Sequence, residues 1–79
     1  MTGAYTIVLY SCKDEAAAQY ELRRLVNKSL DLWVMMVSVP NKGSWYRVCS
    51  GEYSNQAEAH AKAISLKDVS SGAFVARIP

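Results

Sequence analysis

Cysteine, proline, histidine and long apolar runs are all scarce in this 79-residue chain, and each scarcity removes a class of function. Two cysteines and one histidine fall short of the four ligands a structural zinc site takes. The longest apolar run, Leu32 to Val37, is strand-sized, far below the ~18 residues of a membrane span. Met1-Thr2-Gly3 opens without the basic and apolar stretches of a secretory leader, and the chain is expected to be a segment of a longer protein. The net charge is only +2, too mild to announce nucleic acid, whose binders concentrate basic residues in a patch. No phosphate-binding loop or dinucleotide fingerprint is present, so no cofactor is expected. Asp14, Glu15, Glu21, Asp31, Glu52, Glu58 and Asp68 scatter over helix ends and turns, with no pair set for acid–base work. The expectation is a domain without catalytic or metal-ligating residues.

What is present is globular: 51% hydrophobic, 20% charged, with few glycines and prolines, a ratio that disfavours disorder. Seventy-nine residues make one small domain, spanning residues 1–79. The chain also repeats itself weakly at an offset of 41 residues. Ile7 to Cys12 aligns with Val48 to Tyr53, Asp14 with Asn55, Ala18 with Ala59, and Leu32-Trp33-Val34 with Ala73-Phe74-Val75. Each half reads strand, helix, strand, and the agreement of pattern outweighs any single identity.

The elements follow from local chemistry. Tyr5 to Ser11 is rich in β-branched and aromatic residues, a strand. Asp14 to Lys28 predicts a helix whose apolar stripe is Ala18, Leu22, Leu25 and Val26, with acids in its first turn and Lys28 in its last. Leu32 to Val39 is the second strand, ended by Pro40, and Pro40 to Ser44 is turn chemistry that predicts a hairpin. Trp45 to Ser50 is the third strand. Ser54 is the expected N-cap of a helix from Asn55 to about Leu66, with Ala57, Ala61 and Ile64 inward and His60 on its flank. Ala73 to Ile78 is the last strand. The order βαββαβ predicts an α+β split βαβ fold of the ferredoxin or RNP kind. Right-handed crossovers give a four-stranded antiparallel sheet of order 4-1-3-2 with both helices on one face.

Alternation along strands then sorts the faces. Arginine is rarely buried unpaired, so Tyr46, Val48 and Ser50 should meet the helices and Trp45, Arg47 and Cys49 should face away. By the repeat, Ile7 and Leu9 point in and Thr6, Val8 and Tyr10 out. Leu32, Val34 and Met36 point in and Trp33 and Met35 out; Ala73 and Val75 in and Phe74 out. The uncovered face thus gathers an apolar and aromatic surface, which at roughly 25 cal/mol per Å² is several kcal/mol of unmet burial. Exposed patches of this kind mark partner sites. Strands also favour aromatics for cross-strand pairing alone, Trp33 with Trp45 being the expected pair. The candidate ligand-contacting residues are Trp45, Arg47, Trp33, Tyr10, Val8, Phe74 and Cys49.

The run Trp45-Tyr46-Arg47-Val48, followed by Gly51, Tyr53, Ser54 and Ala57-Glu58-Ala59, resembles the SPOR domain family, which shows an aromatic–Arg–Val strand, a glycine turn, a polar N-cap and an Ala-x-Ala helix start. Tyr5 to Ser11, with Asp14 and Ala18, looks like the family's opening strand and helix, so the resemblance runs from about Tyr5 to Ile78. It implies a βαββαβ module that binds peptidoglycan through the open sheet face, preferring glycan strands stripped of stem peptides, where bacteria divide. It further implies a periplasmic or cell-envelope location and a role in directing an envelope protein to the division site or wall. The sequence departs from the family pattern at Val8, where a glutamine is usual, at Tyr10-Ser11-Cys12, at Cys49 and at Glu52, so several polar groups expected on sugar hydroxyls are absent.

Two further readings use the same face. RNA-recognition modules share the fold and stack bases on aromatics of the central strands. Their third-strand signature is absent from Trp45 to Cys49 and the charge is low, so nucleic acid is not expected. Protein partners of the full-length chain, held on the aromatic face or a free edge, are the other reading. Arg23, Arg24 and Lys28 make a small basic cluster that reads as a solvated helix face. For the cysteines, a simple midpoint register sets Val8 opposite Cys49 and Cys12 opposite Trp45. The thiols would then stand four residues apart, about 13 Å, beyond the ~7 Å a disulfide allows. Free thiols are predicted, with Cys49 exposed and able to pair between molecules in an oxidising compartment.

Overall fold

A computed structural model describes residues 3–26 and 30–79. Its elements are β1 (Tyr5–Cys12), α1 (Glu15–Leu25), β2 (Leu32–Val39), β3 (Gly43–Tyr53), α2 (Gln56–Ser65) and β4 (Phe74–Arg77). The strands make one antiparallel sheet in the order β2-β3-β1-β4, the predicted arrangement. α1 packs on β1 and β3, and α2 on β4 and β1, so the central strands carry both helices. The Lys28 end of the expected first helix lies outside the described residues.

Val8 pairs with Cys49 at the middle of the sheet, as expected, but two bulges displace the register on either side. Past Val8, β1 carries one residue more than β3, so Tyr10 rather than Leu9 pairs with Val48, and Cys12 pairs with Tyr46 instead of Trp45. Between Ile7 and Tyr5 the extra residue is on β3, where Gly51 takes a left-handed φ of 70°. That conformation suits glycine because no Cβ meets the following carbonyl. The bulge carbonyls are capped by side chains. Ser70 Oγ donates to Leu9 O at 2.6 Å, and Thr6 Oγ1 donates to Gly51 O at 2.6 Å.

The helices begin at equivalent side-chain caps. Asp14 accepts from the Ala17 N–H and Asn55 from the Glu58 N–H, each at 2.8 Å. The cap of α2 is therefore Asn55 rather than Ser54. Ala18 and Leu25 anchor α1 in the core, whereas Val26, expected inside, is exposed. On α2 the buried residues are Ala59 and Ala63, with Leu66 just beyond, while Ala57 and Ala61 are exposed and Ile64 is 71% exposed. Alanine occurs at 57, 59, 61 and 63, so either helix face carries an apolar stripe; Leu66 decides which one reaches the sheet. Ile7, Leu9, Leu25, Ala63, Leu66 and Ala73 form the principal core, with Leu32, Tyr53, Val69 and Val75 packed round it.

Candidate functional site

The face away from the helices carries a second apolar cluster. Val8, Met35 and Cys49 are its buried members, with Trp33, Val37 and Ala76 packed against them. Trp33, Met35, Trp45, Arg47 and Phe74 lie on this face, as alternation predicts, because β2, β3 and β4 keep a regular register there. Val8 and Cys49 share it but sit beneath their neighbours at 1% and 0% exposure. The candidates Val8 and Cys49 therefore form the floor of the face and cannot touch a ligand directly, and Cys49 is not an exposed thiol. Met36, expected under the helices, is 62% exposed where it pairs with Tyr46 toward the turn of the hairpin.

Tyr10 is the clear reversal. The bulge at Leu9–Tyr10 turns its ring to the helix side, where it packs against the principal core. Its hydroxyl donates to Val69 O at 3.2 Å and accepts from Arg24 Nη2 at 2.9 Å; that guanidinium also holds Glu21 at 2.6 Å. An extra residue in a strand flips every side chain after it, and alternation alone does not reveal it. Tyr10 thus leaves the candidate surface and ties β1 to α1 and to the segment before β4.

The two indoles are not cross-strand partners. Trp33 stands opposite Cys49 and Trp45 opposite Val37, four residues apart along the sheet, or about 13 Å. Trp33 is fixed by its Nε1–H, which donates to Gly51 O at 3.2 Å. Between them, Arg47 pairs with Met35 on one side and Ser11 on the other. Its guanidinium reaches across β1 to lie 5.6 Å from the centre of the Phe74 ring, and Phe74 is 45% exposed. The Arg47 Nε–H is buried with no acceptor, so the fold leaves hydrogen-bonding capacity in this group unused. At the far end Lys13 Nζ sits 5.5 Å over the Trp45 ring. Lys13 escaped the sequence reading because it follows the expected end of β1; extending that strand to Cys12 with its bulge puts residue 13 beside Trp45.

The face is a shallow platform rather than a cavity. Depressions of about 290 Å³, lined by Asp31, Gly51, Tyr53 and Lys62, and about 280 Å³, lined by His60, Ile64, Lys67 and Phe74, lie off it. A flat row of aromatic rings with cations between them offers stacking to apolar ring faces and hydrogen bonds to polar rims. Neither thiol is poised for attack. Burial pushes the Cys49 thiol up to about 11 against the opposing pull of Arg47, and burial followed by Glu21 and Asp14 raises that of Cys12. Both cysteines are free, on opposite sides of the sheet. Among the described residues no helix is long and apolar enough to cross a membrane.

The family model of the SPOR domain matches residues 2–77. The chain belongs to the SPOR domain family. SPOR domains are peptidoglycan-binding modules found in envelope-associated division proteins, a binding rather than a catalytic family. No curated protein and no solved structure gives a significant match to the chain. Membership agrees with the fold, a four-stranded sheet with one face left free by the helices.

Proposed function

We propose that this SPOR domain is a non-catalytic module that binds the glycan strands of peptidoglycan, in their peptide-stripped form, on the uncovered sheet face. In this reading Trp45, Arg47, Trp33 and Phe74 make direct contact, and Val8 and Cys49 support them from below. The module holds a longer bacterial envelope protein, in the periplasm or at the wall, near the site of division. The observation that carries it is the aromatic and cationic row Trp33–Arg47–Trp45, with Phe74 stacked on the arginine, on the face the helices leave free in a SPOR domain. Sugar rings present apolar C–H faces to such a surface, and the guanidinium serves their hydroxyl and acetamido oxygens.

The direct test is co-sedimentation with purified sacculi. Trp45→Ala should weaken pelleting by about five- to tenfold. The accompanying loss of stability should be only about 0.2–1 kcal/mol, the worth of its cross-strand pairing with Val37. Equal pelleting of variant and parent removes Trp45 from the site.

A further inference from the structure

We propose that Lys13 reads the free carboxylate that a glycan strand carries once its peptide is gone. The inference rests on the glycan reading of the open face and adds a specificity residue to it. In peptidoglycan the stem peptide is joined by an amide to a lactyl ether on every second sugar. Hydrolysis of that amide leaves a carboxylate, so a stripped strand is a polyanion, whereas a substituted strand has a neutral amide at the same atom. A surface selecting stripped strands by charge needs a cation beside the ring-stacking position and no competing acid.

Lys13 meets both conditions. Its ammonium lies 5.5 Å over Trp45, the outermost aromatic ring of the row. Among the described residues the sole ion pair is Arg24 with Glu21 on α1, so neither Lys13 nor Arg47 has a carboxylate partner. The neighbouring Asp14 is turned to the first turn of α1, where it accepts from Ala17 N–H. A solvent-exposed cation resting on a half-buried ring is weakly held, and it yields that ring to a stacking sugar. The displaced ammonium, on a flexible four-carbon stem, then has the lactyl carboxylate of the stacked sugar within reach. Arg47, with its Nε–H buried and its guanidinium against Phe74, is the inner cation of the face, and Lys13 is the solvent-exposed one.

The test compares two probes: purified stripped glycan strands, and the same strands with their lactyl carboxylates converted to methyl amides. Each is titrated into the parent, K13Q and K13R at low and moderate salt. The parent should bind the free-acid strand about two- to fivefold more tightly than the amide. That ratio should shrink as salt rises, because an exposed pair is screened. K13Q should bring the ratio near one, and K13R should retain it. Equal binding of both strands by the parent, or a ratio that K13Q leaves intact, overturns the role of Lys13 while the glycan reading stands. Failure of the parent to bind either strand overturns both.

Discussion

The two halves of the molecule, β1-α1-β2 and β3-α2-β4, use the same plan 41 residues apart but spend it differently. Their shared features are structural. Asp14 and Asn55 cap the helices with the same bond, Ala18 and Ala59 are both fully buried, and Leu25 and Leu66 occupy the same core position. Val8 and Cys49 are also repeat-equivalent, and they pair with each other, so the pseudo-symmetry of the domain runs through the middle of the sheet. Each central strand also carries a bulge, at Leu9 in β1 and at Gly51–Glu52 in β3, one position out of step with the repeat. The halves part at the surface. In the second half the residue at the bulge is glycine, and the strand before it presents Trp45 and Arg47 outward. In the first half the repeat sets Tyr10 in the place of Gly51, and its ring is drawn inward to Val69 and Arg24. A duplicated frame keeps its caps and core, and its bulges decide which half supplies the binding face.

Breaking the shared core should cost most. Leu25→Ala and Leu66→Ala should each destabilise by about 2–5 kcal/mol in urea unfolding. Ile64→Ala should stay within about 0.5 kcal/mol because that side chain is largely in solvent. A large loss for Ile64 would restore the helix face that alanine spacing alone suggests. Gly51→Ala comes next, at about 1–3 kcal/mol, for forcing a Cβ into a left-handed position. The equivalent Tyr10→Phe should cost about 0.5–1.5 kcal/mol by removing one hydroxyl, without weakening sacculus pelleting. Weaker pelleting in Tyr10→Phe would return that ring to the ligand surface.

The caps sharpen the comparison further. Asp14→Ala and Asn55→Ala should each cost about 1 kcal/mol, equally, as judged by thermal unfolding. Ser54→Ala should cost less, since Asn55 makes the capping bond. A last contrast is confined to alkaline pH and is absent near neutrality. The Cys49 thiol has a folded value of about 11, above its ordinary value near 9, so the folded state holds its proton longer than the unfolded one. That contribution is complete below pH 9 and is lost as pH rises toward 11. Cys49→Ser should flatten the alkaline limb of stability against pH, and an unchanged limb would deny the thiol its part in it.

The strand order, the two-helix layer and the outward set Trp33, Trp45, Arg47 and Phe74 were legible in the sequence, because arginine and aromatic alternation tolerate only one choice of face. The inner stripe of α2 was misread as Ala57, Ala61 and Ile64, because spacing within that helix alone favours no face; the repeat carried the right one, since Ala18, Leu22 and Leu25 map onto Ala59, Ala63 and Leu66. Tyr10 and Cys12 were not readable. A bulge is a one-residue change of register, and Tyr10 carries no glycine-like mark of it, unlike Gly51. The burial of Val8 and Cys49 was hidden for another reason. Alternation gives direction, and only the reach of Arg47 and the packing of Trp33 make an outward direction a covered one.

The measurement closest to the central claim is a chemical-shift titration of the isotopically labelled domain with peptide-stripped glycan strands, run beside single-stranded RNA. The account predicts saturable shifts at the indoles of Trp33 and Trp45, at Arg47, at Phe74 and at Lys13, with RNA giving none. Shifts centred on α1, α2 or the groove between α2 and β4, or a response to RNA alone, would contradict it.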